Sequence, residues 1–328
     1  MRILVLGGTV FCSRAVAEAA VARGHDVTCA CRGESGALPD GVRHVRLDRS
    51  TTDAASVLDD TYDAVVDVAR DPAWVRSSVA ATPSAHHVLV STINVYPDTT
   101  TPGGGPATLA LHEPLHDVPA ERAAESDVYG ALKVGCERAT EAVASRWVVR
   151  PGLIVGPGDT SHRYPWWVRR LVSADRGEEV VAPGAPDDAV QVVDVRDLAA
   201  WLVDGAERRL TGVHDGVGPV LGRGALLDAI ARGVGADVRW RWVDQDTLLA
   251  HGVAPWAGPR SLPLWLPLPE HAGLMAHDPG PARAAGLAVR APEDTAADTA
   301  AWLATRPDPP PGEGLTRDEE QDLLRAVS

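Results

Sequence analysis

Short apolar runs alternate with helix-like segments along roughly the first 160 residues of the chain. The first run, at 2–6, is apolar almost throughout, as expected for a strand that is buried on both faces. A segment with helical periodicity follows at 15–23 and ends at Gly24, a typical helix stop. Further strand-like runs lie at 26–30, 42–47, 62–69, 87–91 and 147–150. This alternation predicts an α/β fold with a doubly wound parallel sheet.

The pattern becomes irregular in the second half of the chain. Eight of the ten tryptophans lie after residue 160, and strand and helix signals no longer alternate there. Residues 238–243 alternate between apolar and polar side chains, which predicts a half-buried strand. Helices are predicted at 294–305 and 316–327, and the second opens with a capping box of Thr316 and Glu319. We therefore expect a second, smaller region that is built differently from the first.

Composition excludes several classes of protein. No apolar run reaches the length of about 18 residues that a membrane span requires, so we expect no membrane partner. The net charge of −14 argues against a nucleic-acid partner, whose binding surface needs clustered Lys and Arg. The four cysteines show no zinc spacing, and no cleavable signal pattern is present, which favours a cytoplasmic protein. His112, Glu113 and His116 are too loosely spaced in a predicted loop to indicate a metal site.

Tyr129 and Lys133 are the strongest candidates for catalysis. They lie four residues apart in a helix-like segment, so both side chains share one face, one turn apart. A free tyrosine ionises at about pH 10, and a neighbouring ammonium group favours its phenolate form, which suits Tyr129 to general acid–base work. Thr92 follows the apolar run at 87–91. Because ligands of open α/β sheets bind beyond the carboxyl ends of strands, its hydroxyl is a candidate hydrogen-bond donor to a substrate carbonyl.

The turn after the first strand predicts a phosphate-binding loop. It leads into a helix whose N-terminal amides and dipole favour the pyrophosphate of a dinucleotide. The residues expected there are Gly7, Thr9, Val10 and Phe11. At the end of the second strand, Cys31 stands where an Asp would bind the ribose of NAD, and Arg32 follows it. A guanidinium group pairs well with a 2′-phosphate, so the expected cofactor is NADP, with NAD as the alternative.

A nucleotide-type turn, a hydroxyl after the fifth strand and a Tyr-x-x-x-Lys helix follow one another in this order. The order resembles the short-chain dehydrogenase/reductase superfamily in its extended and atypical branches, the NAD(P)-dependent epimerases and dehydratases, over roughly residues 1–215. The run from Arg150 to Gly158 is similar to the family's Arg-Pro-Gly-x-x-x-Gly-Pro. The turn departs from the superfamily's Gly-x-x-Gly-x-x-Gly and resembles a Gly-Gly-Thr-x-Phe variant. Ser13 replaces one glycine with little expected loss, whereas Val10 is expected to weaken binding or change the path of the loop.

The resemblance implies a Rossmann-type fold and assigns further residues to the cofactor. These are Asp48 and Arg49 at the adenine, Val68 and Ala69 under the nicotinamide ribose, Pro151 and Gly152 against the nicotinamide, and Tyr129 with Lys133. It implies a dinucleotide-binding domain at 1–158, to which 189–215 returns, a smaller discontinuous substrate-binding region at 159–188 and 216–305, and a linker with a C-terminal helix at 306–328. A homodimer packed through the Tyr-bearing helix is expected by the same analogy.

Candidate contacts with a small-molecule substrate are spread over three segments. The residues are Asn94, Trp166, Arg169 and Gln191. Trp166 and Arg169 lie on a predicted helix, where a core position and a surface position respectively are the alternatives. Gln191 faces away from its apolar neighbours, whereas Asp194 is expected to cap the helix that follows.

These residues favour an NADP-dependent oxidoreductase that interconverts a carbonyl and an alcohol. Tyr129 would exchange a proton with the substrate oxygen, assisted by Lys133 and Thr92, while the cofactor carries the hydride. A nucleotide-sugar epimerase with tightly bound NAD uses the same three residues and stays open, as does a non-catalytic, nucleotide-sensing or RNA-associated family member. A sugar 4,6-dehydratase is disfavoured, because Ile93-Asn94 stand where that activity needs Asp-Glu.

Overall fold

The computed structural model describes residues 1–59, 61–117, 126–306 and 313–327. In chain order, its strands are β1 (Arg2–Leu6), β2 (Asp26–Cys31), β3 (Arg43–Arg46), β4 (Ala64–Asp67), β5 (His86–Val90), β6 (Arg146–Pro151), β7 (Leu153–Val155), β8 (Glu178–Pro183), β9 (Ala189–Asp194), β10 (Gly212–Gly216), β11 (Val220–Gly222), β12 (Val238–Val243), β13 (Ala254–Trp256) and β14 (Ser261–Pro263). Its α-helices are α1 (Phe11–Ala22), α2 (Pro72–Ala81), α3 (Ser126–Ala139), α4 (Arg163–Val172), α5 (Val195–Glu207), α6 (Arg223–Val234), α7 (Gln245–Ala250), α8 (Gly280–Ala284), α9 (Pro292–Leu303) and α10 (Arg317–Ala326).

A parallel sheet of seven strands forms the centre of the first region, in the order β10-β6-β5-β4-β1-β2-β3. The chain adds strands on one side of β1 up to β3 and on the other side from β4 onward. The point at which this direction switches lies between β1 and β4. Ligands of open α/β sheets bind at such a switch point, beyond the carboxyl ends of the strands. The predicted Rossmann-type, doubly wound fold is confirmed.

Continuous apolar sequence explains why the central strands are covered on both faces. Ile3 and Val5 of β1 pack in one core with α1 and α5, where Val16 and Leu198 are fully buried. Helices α2 and α3 cover the opposite face, and their core includes Val75 and Cys136. Asp71 caps α2 by accepting a hydrogen bond from the Ala73 amide, with Pro72 in the first turn. Among the described residues, both faces of the central strands are therefore covered by helices.

The second region has its own core around buried aromatic and aliphatic side chains, among them Trp167, Leu226 and Trp265. Strands β8 and β12 form a parallel pair there, and the strand predicted at 238–243 is confirmed as β12. Strands β7, β9 and β11 form a separate three-stranded sheet. This arrangement explains the clustering of tryptophans late in the chain, because most of them fill a second core.

Hydrogen bonds and an ion pair of Glu320 hold the C-terminal helix against the second region. The predicted capping box of Thr316 and Glu319 opens α10. Glu320 is buried and accepts a hydrogen bond of 2.6 Å from Arg170 of α4 and another of 3.0 Å from the Val181 amide. Arg170 also pairs with Glu178 at 2.8 Å, so it is bound within the fold. Among the described residues, no helix is long and apolar enough to cross a membrane.

The sequence predicts a helix around Tyr129 from about 120 to 146, and this helix ends earlier than predicted. Helix α3 begins at Ser126 and ends at Ala139, where a 3₁₀ turn (Thr140–Ala142) follows. The Thr140 hydroxyl donates a hydrogen bond of 2.7 Å to the Glu137 carbonyl. A side chain that occupies a terminal carbonyl in this way competes with continuation of the helix. The predicted start of the helix lies at 118–125, outside the described residues.

Candidate functional site

A cleft of about 320 Å³ opens at the carboxyl ends of β1 to β4, beside the switch point. Six of the residues predicted to bind the cofactor line it: Gly7, Arg32, Asp48, Arg49, Val68 and Ala69. Its volume lies at the lower end of the range of about 300–1,000 Å³ that is typical of small-molecule sites. The cleft is therefore large enough for the nucleoside end of a dinucleotide.

The turn from β1 into α1 has the backbone that a phosphate loop requires. Gly7 and Gly8 adopt φ angles of 131° and 113°, which side-chain-bearing residues rarely adopt. Ser13 accepts a hydrogen bond of 3.0 Å from the Gly8 amide and donates one of 3.0 Å to the Val10 carbonyl. Ser13 therefore fixes the turn, whereas only close packing was expected of it. Val10 is 39% exposed and provides no side-chain cap for α1.

Arg49 forms part of the cleft wall and is tightly bound within the fold. Its guanidinium donates two hydrogen bonds of 2.8 Å to the Asp67 carboxylate, one of 2.7 Å to the Trp74 carbonyl and one of 3.1 Å to the Ser78 hydroxyl. Burial opposes ionisation of Asp67, but the charge and hydrogen bonds of Arg49 outweigh it and hold the pKa of Asp67 below its usual value. The pair braces the cleft wall, a structural role in addition to the predicted position of Arg49 at the adenine.

Lys133 lies against the same cleft. Its ammonium group is buried and donates hydrogen bonds to the carbonyls of Ala69 at 2.8 Å and Val90 at 2.7 Å, with Val68 at 3.5 Å. Val68 and Ala69 are also cleft-lining residues. The ammonium group of α3 is therefore held where β4 and β5 end. Tyr129, one turn earlier on the helix, is half-buried.

Thr92 caps the short 3₁₀ helix that follows β5. Its hydroxyl accepts a hydrogen bond of 3.2 Å from the Asn94 amide and donates one of 3.0 Å to the Asn94 side-chain oxygen. The neighbouring Ser91 hydroxyl points elsewhere, since it donates to Glu137 at 2.5 Å. The Ser91 hydroxyl is therefore engaged with a buried carboxylate, whereas the Thr92 hydroxyl bonds to Asn94. Asn94 is half-buried beside it.

A chain of buried polar groups crosses the molecule behind this turn. The Arg150 guanidinium donates to Glu137 at 2.9 and 2.7 Å and to the Tyr96 hydroxyl at 2.7 Å. Tyr96 in turn donates to Asp215 at 2.8 Å, whose other oxygen lies 2.9 Å from His277 Nδ1. Each of these residues is at most 6% exposed. The network links α3, the Thr92 turn, β6 and β10 to the loop before α8.

Gly152 lies close to the Thr92 turn, as its predicted place near the nicotinamide requires. A Cβ atom at Gly152 would come within 3.0 Å of Val217 and 3.7 Å of Ile93. Its amide donates a hydrogen bond of 3.3 Å to the Gly216 carbonyl, and Pro151 ends β6. The run after β6 and the Thr92 turn after β5 therefore meet at the same edge of the sheet.

The predicted substrate-binding residues of the second region are less favourably placed. Gln191 is buried, and its side chain bonds to the backbone of His277 and Gly218 at 2.8 to 3.0 Å, which occupies it structurally. Trp166 is 9% exposed and packs edge-on against Trp167 in the core, so the core alternative describes it. Arg169 is half-buried on α4. The sequence pattern does not distinguish a tryptophan that lines a pocket from one that is buried in the core.

The segment before α3 lies across the outer face of that helix. A Cβ atom at Gly135 would come within 1.9 Å of the Leu115 carbonyl, and one at Gly130 within 2.1 Å of the Asn94 carbonyl. The two glycines therefore allow backbone to pass directly over α3. His112, half-buried, also contacts Gly130. The homodimer through this helix stays a prediction, and a partner would have to use the surface that this segment leaves open.

Several residues of the site were not predicted from the sequence. Trp74 lines the cleft from the first turn of α2, and Asp67 orders Arg49. The Asp71-Pro72 helix start directly after β4 was a usable signal for Trp74, because a helix that begins there turns its first residues toward the strand ends. Asp67 gave no such signal, since its partner is eighteen residues away in the chain.

Comparison with known proteins places the chain among nicotinamide-dependent enzymes. The model of the NAD dependent epimerase/dehydratase family matches residues 3–214, about two thirds of the chain. No curated protein sequence matches. The match covers the sheet, the cleft and the Tyr129 helix described above.

Solved structures with similar folds cover nearly the whole chain. UDP-glucose 4-epimerase from Thermotoga maritima, solved with UDP-glucose, is 15% identical, covers 93% of this chain and 99% of its own, and has a TM-score of 0.64. The human epimerase family protein SDR39U1, solved with NADPH, is 18% identical, with coverages of 93% and 100% and a TM-score of 0.58. The enzyme WbmH from Bordetella bronchiseptica, solved with NAD⁺, is 18% identical, with coverages of 93% and 98% and a TM-score of 0.62. At these identities, the likeness is one of fold.

Proposed function

The chain belongs to the NAD dependent epimerase/dehydratase family of nicotinamide-dependent enzymes, and we propose that it is an NADP-dependent oxidoreductase that interconverts a carbonyl and an alcohol. One observation carries the proposal. Lys133, one turn from Tyr129, donates hydrogen bonds to the carbonyls of two residues that line the cleft, at 2.8 Å for Ala69 and 3.5 Å for Val68. The helix that carries Tyr129 and Lys133 is therefore bonded directly to the lining of the nucleotide cleft.

The described residues fit a dinucleotide. Gly7 and Gly8 provide a turn without side chains at the N-terminus of α1, where amides and the helix dipole favour a pyrophosphate. The cleft beside them would take the adenosine end, and Lys133, which bonds to the carbonyl of the cleft-lining Ala69 at 2.8 Å, would contact a ribose hydroxyl. When bound, NADP supplies and accepts the hydride.

The chain's own residues would handle the proton and the substrate oxygen. Tyr129 would donate its phenolic proton to the oxygen of the carbonyl during reduction and accept the hydroxyl proton in the reverse direction. Lys133 would stabilise the phenolate through its positive charge. Thr92 would exchange its 3.0 Å bond to Asn94 for one to the substrate oxygen. Buried backbone carbonyls hold Lys133 in place throughout.

Arg32 supports NADP over NAD. It lines the cleft directly after β2, next to Cys31, which stands where an acidic side chain would repel a 2′-phosphate. Its side chain is 55% exposed and can approach a phosphate without losing a buried partner.

A replacement of Tyr129 by Phe tests the chemistry. Oxidation of NADPH with a panel of aldehydes, ketones and nucleotide-linked keto sugars is followed at 340 nm. We expect Y129F to lower turnover by about 10²–10⁴-fold, the usual contribution of a positioned acid or base, while NADPH still binds. Tyr62, buried two residues before β4, provides the matched control Y62F, which should keep its turnover. A Y129F protein with undiminished turnover would refute the assignment.

A second candidate is a nucleotide-sugar epimerase with tightly bound NAD. The likeness to the Thermotoga enzyme extends beyond residue 214, over 93% of this chain, so the substrate region shares that enzyme's fold as well. The protein is incubated with UDP-glucose without added NAD or NADP, and conversion to UDP-galactose is followed by NMR. Conversion would favour the epimerase, and no conversion together with consumption of NADPH in the carbonyl panel would favour the oxidoreductase.

A further inference from the structure

Two arginines stand side by side at the outer edge of the cleft. Arg32 directly follows β2, and Arg46 ends β3. In the parallel register of these strands, Cys31 pairs with Arg46, so the two guanidinium groups project from neighbouring strand ends. Arg32 lines the cleft itself. Of these two arginines, the sequence assigns only Arg32 to the cofactor.

One carboxylate lies between the two guanidinium groups. Glu34 Oε1 is 3.3 Å from Arg46 Nη2, and Glu34 Oε2 is 3.9 Å from Arg32 Nε. Gly33, at φ 80°, turns the chain back so that Glu34 reaches this place. The three side chains are 55–77% exposed, so water replaces these contacts at little cost.

Asp48, the other acid nearby, is engaged elsewhere. Its carboxylate accepts hydrogen bonds from the Ser50 amide at 3.0 Å and from the Ser50 hydroxyl at 2.6 Å. These bonds, with weaker contributions from Arg32 and Arg46, hold the pKa of Asp48 below its usual value. Asp48 is therefore a fixed negative charge beside the arginines, while Glu34 is the one that bridges them.

We propose that Arg32 and Arg46 together form the binding site of the NADP 2′-phosphate, and that the Glu34 carboxylate occupies this site when no phosphate is bound. The inference rests on the proposed use of NADP and adds Arg46 and Glu34 as residues that determine specificity. A phosphate presents three acceptor oxygens to the two forked donors, more than a carboxylate offers. Binding of NADP displaces Glu34 into solvent, and the competition lowers the preference for NADP over NAD.

The test compares two fragments that differ only in the 2′-phosphate. Adenosine 2′,5′-bisphosphate and adenosine 5′-monophosphate are titrated by calorimetry into the full-length protein at fixed ionic strength, because exposed charge pairs are screened by salt. We expect R46A to weaken binding of the 2′,5′-compound by about tenfold, as for the loss of one charge-assisted contact, and the 5′-compound by less than twofold. We expect E34Q to strengthen the 2′,5′-compound by about threefold, as for removal of one exposed ion pair.

Arg43 provides the control for loss of one positive charge on the same strand. It donates hydrogen bonds of 2.8 and 3.0 Å to Thr28 and lies at the opposite end of β3. R43Q should leave the ratio of the two affinities unchanged. Equal effects of R46A on both compounds, or weaker binding of the 2′,5′-compound to E34Q, would overturn the inference and leave the cofactor site standing. Failure of the unmodified protein to bind either compound would overturn the proposed function together with the inference.

Discussion

Ser13 should be required by the nucleotide turn, although it occupies a glycine position of the superfamily pattern. Its hydroxyl makes two hydrogen bonds of 3.0 Å, with the Gly8 amide and the Val10 carbonyl. The Gly8 amide is buried, so S13A leaves a buried donor without its partner, at a cost of about 1–3 kcal/mol. S13G carries that cost and adds about 0.5–1 kcal/mol for glycine in the first turn of α1.

The assay is urea unfolding of the protein without added nucleotide, combined with NADPH titration. We expect S13A to lower the free energy of unfolding by about 2 kcal/mol, and S13G by about 3 kcal/mol. Both variants should bind NADPH more weakly, because the turn that presents the α1 amides loses the two hydrogen bonds of the Ser13 hydroxyl. Ser56, whose exposed hydroxyl bonds to the Asp53 carbonyl, provides the control S56A, which should change stability by less than about 0.5 kcal/mol.

Restoring the glycine is the sharper of the two changes. If S13G is as stable as the unmodified protein and binds NADPH more tightly, Ser13 is a tolerated departure from the glycine pattern, and its two hydrogen bonds do not stabilise the turn. If S13A and S13G lose equal stability, the hydroxyl accounts for the whole effect.

Three further predictions follow from individual contacts. Trp74 lines the cleft, so W74F should remove most of the tryptophan quenching caused by NADPH without abolishing binding measured by calorimetry. His86 is fully buried, and burial lowers its pKa to about 4, so the unfolded chain takes up a proton below about pH 6.5 before the folded one does. The free energy of unfolding should fall by about 3 kcal/mol as the pH drops from 6.5 to 4, and a H86Q protein should show a flatter acid limb in pH-dependent urea unfolding. Arg150 neutralises buried Glu137, so R150M should cost about 3–5 kcal/mol in urea unfolding, and the double change R150M/E137L should recover much of it; equal stability of the single and double variants would contradict this.

The sheet was predictable from the sequence because its central strands are buried on both faces. Such strands read as continuous apolar runs, as at Arg2–Leu6, and helix starts such as Asp71-Pro72 carry local capping signals. The element ends were less predictable, since α3 stops where Thr140 bonds back to the Glu137 carbonyl. Such a contact depends on one side-chain rotamer and leaves no periodic pattern in the sequence.

The lining of the cleft was predictable where it depends on position after a strand. Gly7, Arg32, Asp48, Val68 and Ala69 all line the cleft because each lies one or two residues after the end of a strand. Contacts between segments distant in the chain were not predictable.

Gln191 illustrates this limit of sequence reasoning. Its polar side chain on an apolar strand indicated a ligand, but it bonds to the backbone of His277, eighty-six residues away. The bonds of Arg49 to Asp67 and of Arg46 to Glu34 belong to the same class, because each depends on how loops and strand ends meet.

We propose that the cleft beside Lys133 binds a nicotinamide dinucleotide, with NADP preferred. The most direct measurement denatures freshly purified protein, identifies any released nucleotide by mass and absorbance, and titrates the nucleotide-free protein with NADPH and NADH by calorimetry. We expect the protein to be purified without nucleotide, to bind NADPH in a saturable manner and to bind NADH more weakly. Binding of neither nucleotide would contradict this proposal, and release of tightly held NAD would favour the epimerase over the oxidoreductase.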